Sequence, residues 1–298
     1  MTVPDLTVLL VGAGKAASTR IFGWLDEHPS VCMAHPKEPQ FFSCHYATGP
    51  EVFWPPFFAH YAGEPHIGEA TPGYLHLPYV PARIAETYPG ARIVMSLRHP
   101  VDRAYSDWWM HHARGADRGS FEEAMRVCLA GSDRSSPDPE QAWTEHLQST
   151  GSGRIRARPY LEIGHYHEHL ARYRAHFPDE RIKVVLFDDI RHDAAAVYAD
   201  ICHFLDLPPA PVSMTARNPA LSRALGRTRR LRHSGLGNIL ASLVPQGIRS
   251  GVKGLLERHG TRQPPMPAGT RQWLLDHYAP HNERLGRALG RDLTDWNR

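Results

Sequence analysis

"VLLVGAGKAAST", residues 8–19, runs from an apolar strand directly into two glycines, a lysine and a pair of hydroxyls. A strand that ends in a glycine turn and is followed by a helical pattern is the first unit of an α/β protein, and such a turn invites an anion. Gly12, Gly14 and Ala17 satisfy GxGxxA, the dinucleotide fingerprint, on small residues alone. That fingerprint also calls for an acid after the second strand, where "VCMAHPKEPQ" supplies His35 and Lys37 before Glu38. A Walker loop needs GxxxxGK followed by Ser or Thr, but Lys15 is followed by Ala16 and no glycine stands five positions before Gly14. The third arrangement puts Lys15 in the turn with Ser18 and Thr19 opening the helix. Main-chain donors, the helix dipole, two hydroxyls and a mobile cation then face one phosphate. A tight turn with a solvent-facing lysine is the remaining reading of this segment.

Working outward, strand-like runs occur at 6–11, 31–34, 67–69, 91–97 and 182–187. Helical patterns fill 18–28, 80–88, 101–113, 121–129, 161–176 and 194–205. This alternation predicts βαβ units, hence a single α/β domain over residues 1–298 with a central, mainly parallel sheet flanked by helices. Ligands of such sheets bind at the carboxyl ends of the strands. Residues 131–159, rich in Ser, Gly, Pro and charge, are expected to form a long loop of the kind that serves as a lid. Residues 211–269 are irregular on the substrate side and carry the basic run "RALGRTRRLRHSG" and the Pro-rich "QPPMP".

The chain has 298 residues, with 34 Lys and Arg against 31 Asp and Glu. That balance suits small anionic ligands and does not mark a nucleic-acid binder. No apolar run approaches the roughly 20 residues that span a bilayer, and the amino terminus shows no leader, so a cytoplasmic protein is expected. Cys32, Cys44, Cys128 and Cys202 are far apart and read as buried small hydrophobes. The histidines of "HYHEH", His165, His167 and His169, would point to different faces of a helix, and no metal is expected.

A second constellation lies at 92–112, "RIVMSLRHPVDRAYSDWWMHH". An apolar strand ends in Arg98, Pro100 opens a helix, and Ser106 follows about two turns along it. The guanidinium and the hydroxyl can close on one anion; the alternative is an arginine paired with Asp102 and a serine packed on a neighbour.

With these residues in place the sequence resembles the sulfotransferases that use 3′-phosphoadenosine 5′-phosphosulfate (PAPS), bacterial members and the heparan sulfate N- and 3-O-sulfotransferases in particular. Their first motif is matched by Lys15, Ala17, Ser18 and Thr19, and their second by Arg98, Pro100, Arg103, Ala104, Tyr105 and Ser106. "HPKEPQFFS", "GEATPGYL", "LEIGHYHEHLARYRAHFP", "IKVVLFDDI" and "LLDHYAPHNERLGRALGRDLTDW" follow in the family's order, so the likeness spans nearly the whole chain. Two positions depart from it. Ala17 replaces the usual glycine, and Ala70 stands where many heparan-type relatives have a lysine.

The resemblance implies a P-loop-like sulfotransferase fold and transfer of a sulfuryl group to a hydroxyl or amine, leaving adenosine 3′,5′-bisphosphate. It implies that Lys15 stabilises the departing phosphate oxygen, that Ala16, Ala17, Ser18, Thr19 and Arg20 hold the 5′-phosphate with Lys15, and that Arg98 and Ser106 hold the 3′-phosphate. Glu69 would be the general base, and Arg262 would join the cofactor site. Lys37, Tyr74, His111 and His112 are candidates for the acceptor side, with a solvated lysine, a core tyrosine and surface histidines as the alternatives. The acceptor itself, whether small molecule, glycan or lipid, is not readable, nor is the oligomeric state. A nucleotide-dependent kinase and a catalytically silent nucleotide-binding protein of the same fold are the competing functions.

Overall fold

The computed structural model describes residues 5–117, 119–130, 158–214 and 263–298. The chain divides into two compact units, Met1–Met214 with Met266–Arg298, and Thr215–Pro265, and the features below belong to the first. Nearly all of the loop expected at 131–159, most of the irregular region 211–269, and Arg262 within it fall outside the described residues.

The strands are β1 (Val8–Gly12), β2 (Val31–Met33), β3 (His66–Ala70), β4 (Arg92–Leu97) and β5 (Ile182–Leu186). The helices are α1 (Ser18–Glu27), α2 (Pro50–Phe53), α3 (Val80–Thr87), α4 (Pro100–Ala113), α5 (Phe121–Ala130), α6 (Tyr166–Arg174), α7 (Phe187–His192), α8 (Ala194–Phe204) and α9 (Ala268–Leu289). The strands form one sheet in the order β2-β3-β1-β4-β5, and every pairing is parallel. This is the α/β architecture with a parallel central sheet that the alternation predicts.

A parallel sheet buries both faces, so its strands read as continuous apolar runs. β1 shows how the two faces are served. Val8 and Leu10 join α1 and α8 through Ile21, Trp24, Leu25, Ile201 and Cys202. Leu9 and Val11 join α3, α6 and α9 through Ile84, Leu170, Tyr173 and Leu285. A third cluster packs α4 and α5 against the first half of α9, with Val101, Trp108, Met125, Leu274 and Tyr278 at its centre. The chain leaves β1 toward β2 on one side and reaches β5 from β4 on the other. The crevice between β1 and β4 is therefore the sheet's switch point, the place where such folds receive ligands.

Local chemistry explains several boundaries. Pro100 takes the first turn of α4, where its missing N–H is not needed. Asp193 caps α8 by accepting from the Ala196 N–H at 2.9 Å. α9 stops at Gly290, whose φ of 62° suits glycine. One helix is shorter than its pattern: of the span 161–176, only Tyr166–Arg174 is α-helical, behind a 3-10 turn at Glu162–Gly164. The Tyr278 ring closes on this turn. Its hydroxyl donates to the Leu161 carbonyl at 2.9 Å, and a Cβ on Gly164 would lie 2.6 Å from the ring. Among the described residues, no helix is long and apolar enough to cross a membrane.

Candidate functional site

β1 does not simply end at the turn. Its register against β4 shifts by one residue between Leu10 and Gly12, a bulge that re-aims the chain as it leaves the sheet. The Ala13 N–H then donates to the Ser96 carbonyl at 2.6 Å, and the Ser96 hydroxyl donates to the Ala16 carbonyl, so β4 holds the turn from beneath. Gly12 has a φ of 145°, and a Cβ there would lie 2.6 Å from the Pro72 carbonyl oxygen and 2.7 Å from Leu75 Cβ. Lys15 and Ala17 are both left-handed, with φ of 69° and 68°. For a residue with a Cβ that conformation costs roughly 1–2 kcal/mol. Ala17 is also the residue before α1, and it caps the helix with no side-chain hydrogen bond. The first N–H groups of α1 thus lack a side-chain acceptor from the cap residue, the arrangement an anion completes. At the start of the helix Ser18 is buried, while Thr19 and Arg20 are half-buried.

The Lys15 side chain is half-buried, its Nζ 3.7 Å from Met110 Sδ, a weak acceptor on α4. Burial pulls its ammonium below the ordinary lysine range; Asp107 opposes this, while Arg114, Arg98 and Arg103 add to it. A polyanion placed there would relieve that crowding of positive charge.

Arg98 leaves the end of β4 and meets this turn directly, its guanidinium donating to the Lys15 carbonyl at 3.2 Å. The same guanidinium lies over the Phe187 ring, 4.8 Å from the centroid, and the Arg98 carbonyl accepts from the Tyr166 hydroxyl at 2.8 Å. Asp102, the alternative partner in the sequence, is instead paired with Arg271 of α9 at 2.8 Å. Ser106 is half-buried on α4. The two sequence motifs, more than 80 residues apart, therefore meet at the β1/β4 switch point.

Lys37 reaches the same corner from beyond β2. Its Nζ donates to Thr19 Oγ1 at 3.2 Å and lies 3.5 Å from Glu38 Oε1, and burial lowers its pKa against the pull of Glu38 and Glu69. It is thus neither free nor fully solvated. Glu69, at the end of β3, is completely buried. Burial raises its carboxyl to a pKa of about 8, opposed by hydrogen bonds from Thr71 and Tyr74 and by the Lys37 charge. Thr71 Oγ1 donates to Oε2 at 2.9 Å, and Oε1 is buried without a geometrically satisfied bond.

The other acceptor-side candidates stand differently. Tyr74 is fully buried, its hydroxyl accepting from the Phe42 N–H at 3.1 Å and its carbonyl accepting from the Tyr173 hydroxyl. It backs Glu69 from inside the core and does not line an open wall. His112 stacks on Trp108 at 4.7 Å, and His111 lies 3.7 Å from Asp107 with its pKa lowered by burial. The sequence places Arg103 within the second motif without assigning it a task, and it singles out no role for Asp107. Arg103 is fully buried, donates to Asp107 at 3.1 Å and also donates to the Tyr160 carbonyl. Its membership of the motif is the signal that could have led to this pair.

A basic corner at the switch of a parallel sheet, edged by left-handed turn residues and a helix N-terminus, is the α/β arrangement that suits a phosphorylated ligand. The sulfotransferase domain family matches residues 8–220, well over half of the chain, and the chain belongs to that family. It is classed with the PAPS-dependent sulfotransferases, as its motifs implied. The bifunctional heparan sulfate N-deacetylase/N-sulfotransferase 2 of Bos taurus is 26% identical over 97% of this chain, and that of Homo sapiens is 27% identical over the same share. The chain spans 30% of the length of each. A sulfotransferase from Alicyclobacillus acidocaldarius has the same fold, with a TM-score of 0.69 over 99% of this chain and all of the other, at 23% identity.

Proposed function

We propose that this corner binds PAPS and transfers its sulfuryl group to a hydroxyl or amine of a small-molecule, glycan or lipid acceptor. The observation that carries the reading is the contact of Arg98 with the Lys15 carbonyl, which joins the two basic motifs at one sheet edge. The residues present fit the donor: its two phosphates need two separate basic sites, and the donor-bearing turn and Arg98 supply them. The donor supplies an activated sulfuryl group on a phosphate leaving group.

The chain's residues then have distinct tasks. Main-chain N–H groups around residues 15–19, with the Ser18 and Thr19 hydroxyls and Arg20, hold the 5′-phosphate. Arg98 and Ser106 hold the 3′-phosphate. Lys15 would hold its ammonium against the leaving phosphate, where negative charge develops as the sulfuryl group departs, so the cation would act where catalysis requires it. Glu69 as carboxylate takes the acceptor's proton as the new bond to sulfur forms. Burial raises its pKa to about 8, nearer neutral pH than an ordinary carboxylate, which suits a group that takes up a proton in catalysis. Lys37, between Thr19 and Glu69, orients the sulfuryl oxygens or the acceptor. His111 and His112 border the acceptor side on α4.

Thermal shift with adenosine 3′,5′-bisphosphate against ATP and magnesium tests the binding half. Stabilisation by the bisphosphate at low concentration without metal is expected, and a response to ATP alone would overturn the reading. Transfer of radiolabelled sulfate from PAPS into an extract of the source cells tests the reaction and identifies the acceptor.

A further inference from the structure

Away from the donor corner, three histidines from two elements converge. His165 precedes the first residue of α6, while His277 and His281 lie one turn apart on α9. Each offers a ring nitrogen, and these three atoms all lie within 4.8 Å of one another. His165 Nε2 and His277 Nε2 are 3.0 Å apart, and the His165 and His281 rings stack at 4.1 Å with an interplanar angle of 9°. Glu168, in the first turn of α6, flanks the group without joining it, its Oε1 3.4 Å from His281 Nδ1 and its Oε2 4.0 Å from His165 Nδ1.

We infer that His165, His277 and His281 form a site for one borderline divalent transition-metal cation of the zinc class. The donor set is three imidazoles with the fourth position left to solvent, which is within zinc's ordinary range and is poorly suited to magnesium or calcium. Metal–ligand bonds of about 2.0–2.1 Å in a tetrahedron put ligand atoms about 3.4 Å apart, and the stacked His165 and His281 rings, whose in-plane lone pairs run parallel, must turn apart for both to meet one ion.

The local architecture is built for this approach. Gly164 lets the Tyr278 ring close on the chain immediately before His165, and Tyr278 is next to His277. Sequence spacing hides the site, because only His165 of the "HYHEH" run takes part. His169 is buried and bonded to the Glu162 carbonyl, while His167 makes no part of the cluster. Metal at this point would clamp the start of α6 to α9. Tyr166, the next residue, bonds the Arg98 carbonyl, so the clamp would brace one side of the donor corner.

The test is zinc titration of the full chain against a competing chromophoric chelator, which discounts weak binding by the chain's other histidines. One equivalent per chain in competition with the chelator, with affinity lowered more than about 100-fold in His277→Gln and in His281→Gln, is the expected result. A zinc-dependent rise in melting temperature should be present in the unaltered chain and absent in both variants, with metal-free circular dichroism unchanged. Equal zinc affinity in the unaltered chain and the variants, or no binding in competition, would overturn the site. Should the variants fail to fold, the cobalt(II) spectrum of the unaltered chain decides. Intense tetrahedral bands support the site, and a weak six-coordinate spectrum overturns it.

Discussion

Residues 12–17 and residues 98–103 meet at the same edge of the sheet, yet they are constructed by opposite means. The first segment works through its main chain: a bulge, two left-handed residues and a helix start without a side-chain cap. The second has ordinary helix-entry geometry, with Pro100 in the first turn, and works through side chains, Arg98 reaching across and Arg103 anchoring beneath. A main-chain site tolerates changes of residue identity as long as the path survives, which is how Ala17 can stand where relatives have glycine. A side-chain site does not, and an Arg-to-Lys change there would lose the planar fork.

The contrast can be broken most forcefully at Lys15, the one residue of the first segment whose side chain is asked to do chemistry. Lys15→Ala should lower the transfer rate by about 10²–10³-fold, the usual loss for one transition-state donor, while bisphosphate affinity stays within about tenfold. Single-turnover sulfate transfer and calorimetry separate the two effects. Next in size is Arg98→Ala, which should weaken bisphosphate binding by about 10–100-fold, the worth of a hydrogen bond to a charged group. Arg98→Lys should recover only part of that loss, and full recovery would show that this segment, too, needs charge without geometry.

Glu69 offers a test by pH. With a folded pKa of about 8 against an ordinary 4.5, the carboxyl stays protonated in the fold where the unfolded chain has released its proton. Folding stability from this group is therefore greatest below pH 4.5 and declines as pH rises toward 8. Glu69→Gln should remove that decline in urea unfolding curves taken at several pH values. Transfer by the unaltered enzyme should rise as pH passes through about 8, because only the carboxylate accepts a proton, and the variant should lose that rise. The smallest effect belongs to Ala17→Gly. Relief of the left-handed strain should stabilise the fold by about 1 kcal/mol at most, partly offset by glycine's greater unfolded entropy, as read by thermal unfolding.

The second segment was the more legible of the two in the sequence, because a strand ending in arginine, a helix-starting proline and a serine two turns on keep their meaning in one dimension. The strand–turn–helix of the first was equally plain, but its left-handed residues were not, since neither Lys15 nor Ala17 advertises that conformation. Lys37's contact with Thr19 depends on how β2 and β1 are placed with β3 between them, which no local pattern records. Residues 35–65 had no periodicity to read. There the chain is held by aromatic packing such as Phe41 on Trp54 at 5.0 Å, and its turns are short and irregular. For Tyr74 the sequence left a pocket residue and a core tyrosine both open, because a tyrosine beside a predicted catalytic carboxylate looks the same on paper whether it faces the core or the ligand; the structure buries it.

Gly12 carries a consequence for any effort to redirect this enzyme. Its bare α-carbon is pressed against Pro72 and Leu75, the stretch that continues from Glu69. Altering that stretch would shift the floor under the donor turn, so changes made around the Glu69 carboxyl and the conformation of the turn should be inherited together. Libraries built on this scaffold would do better to vary residues 70–75 jointly with residues 12–17 than to treat them as separate modules.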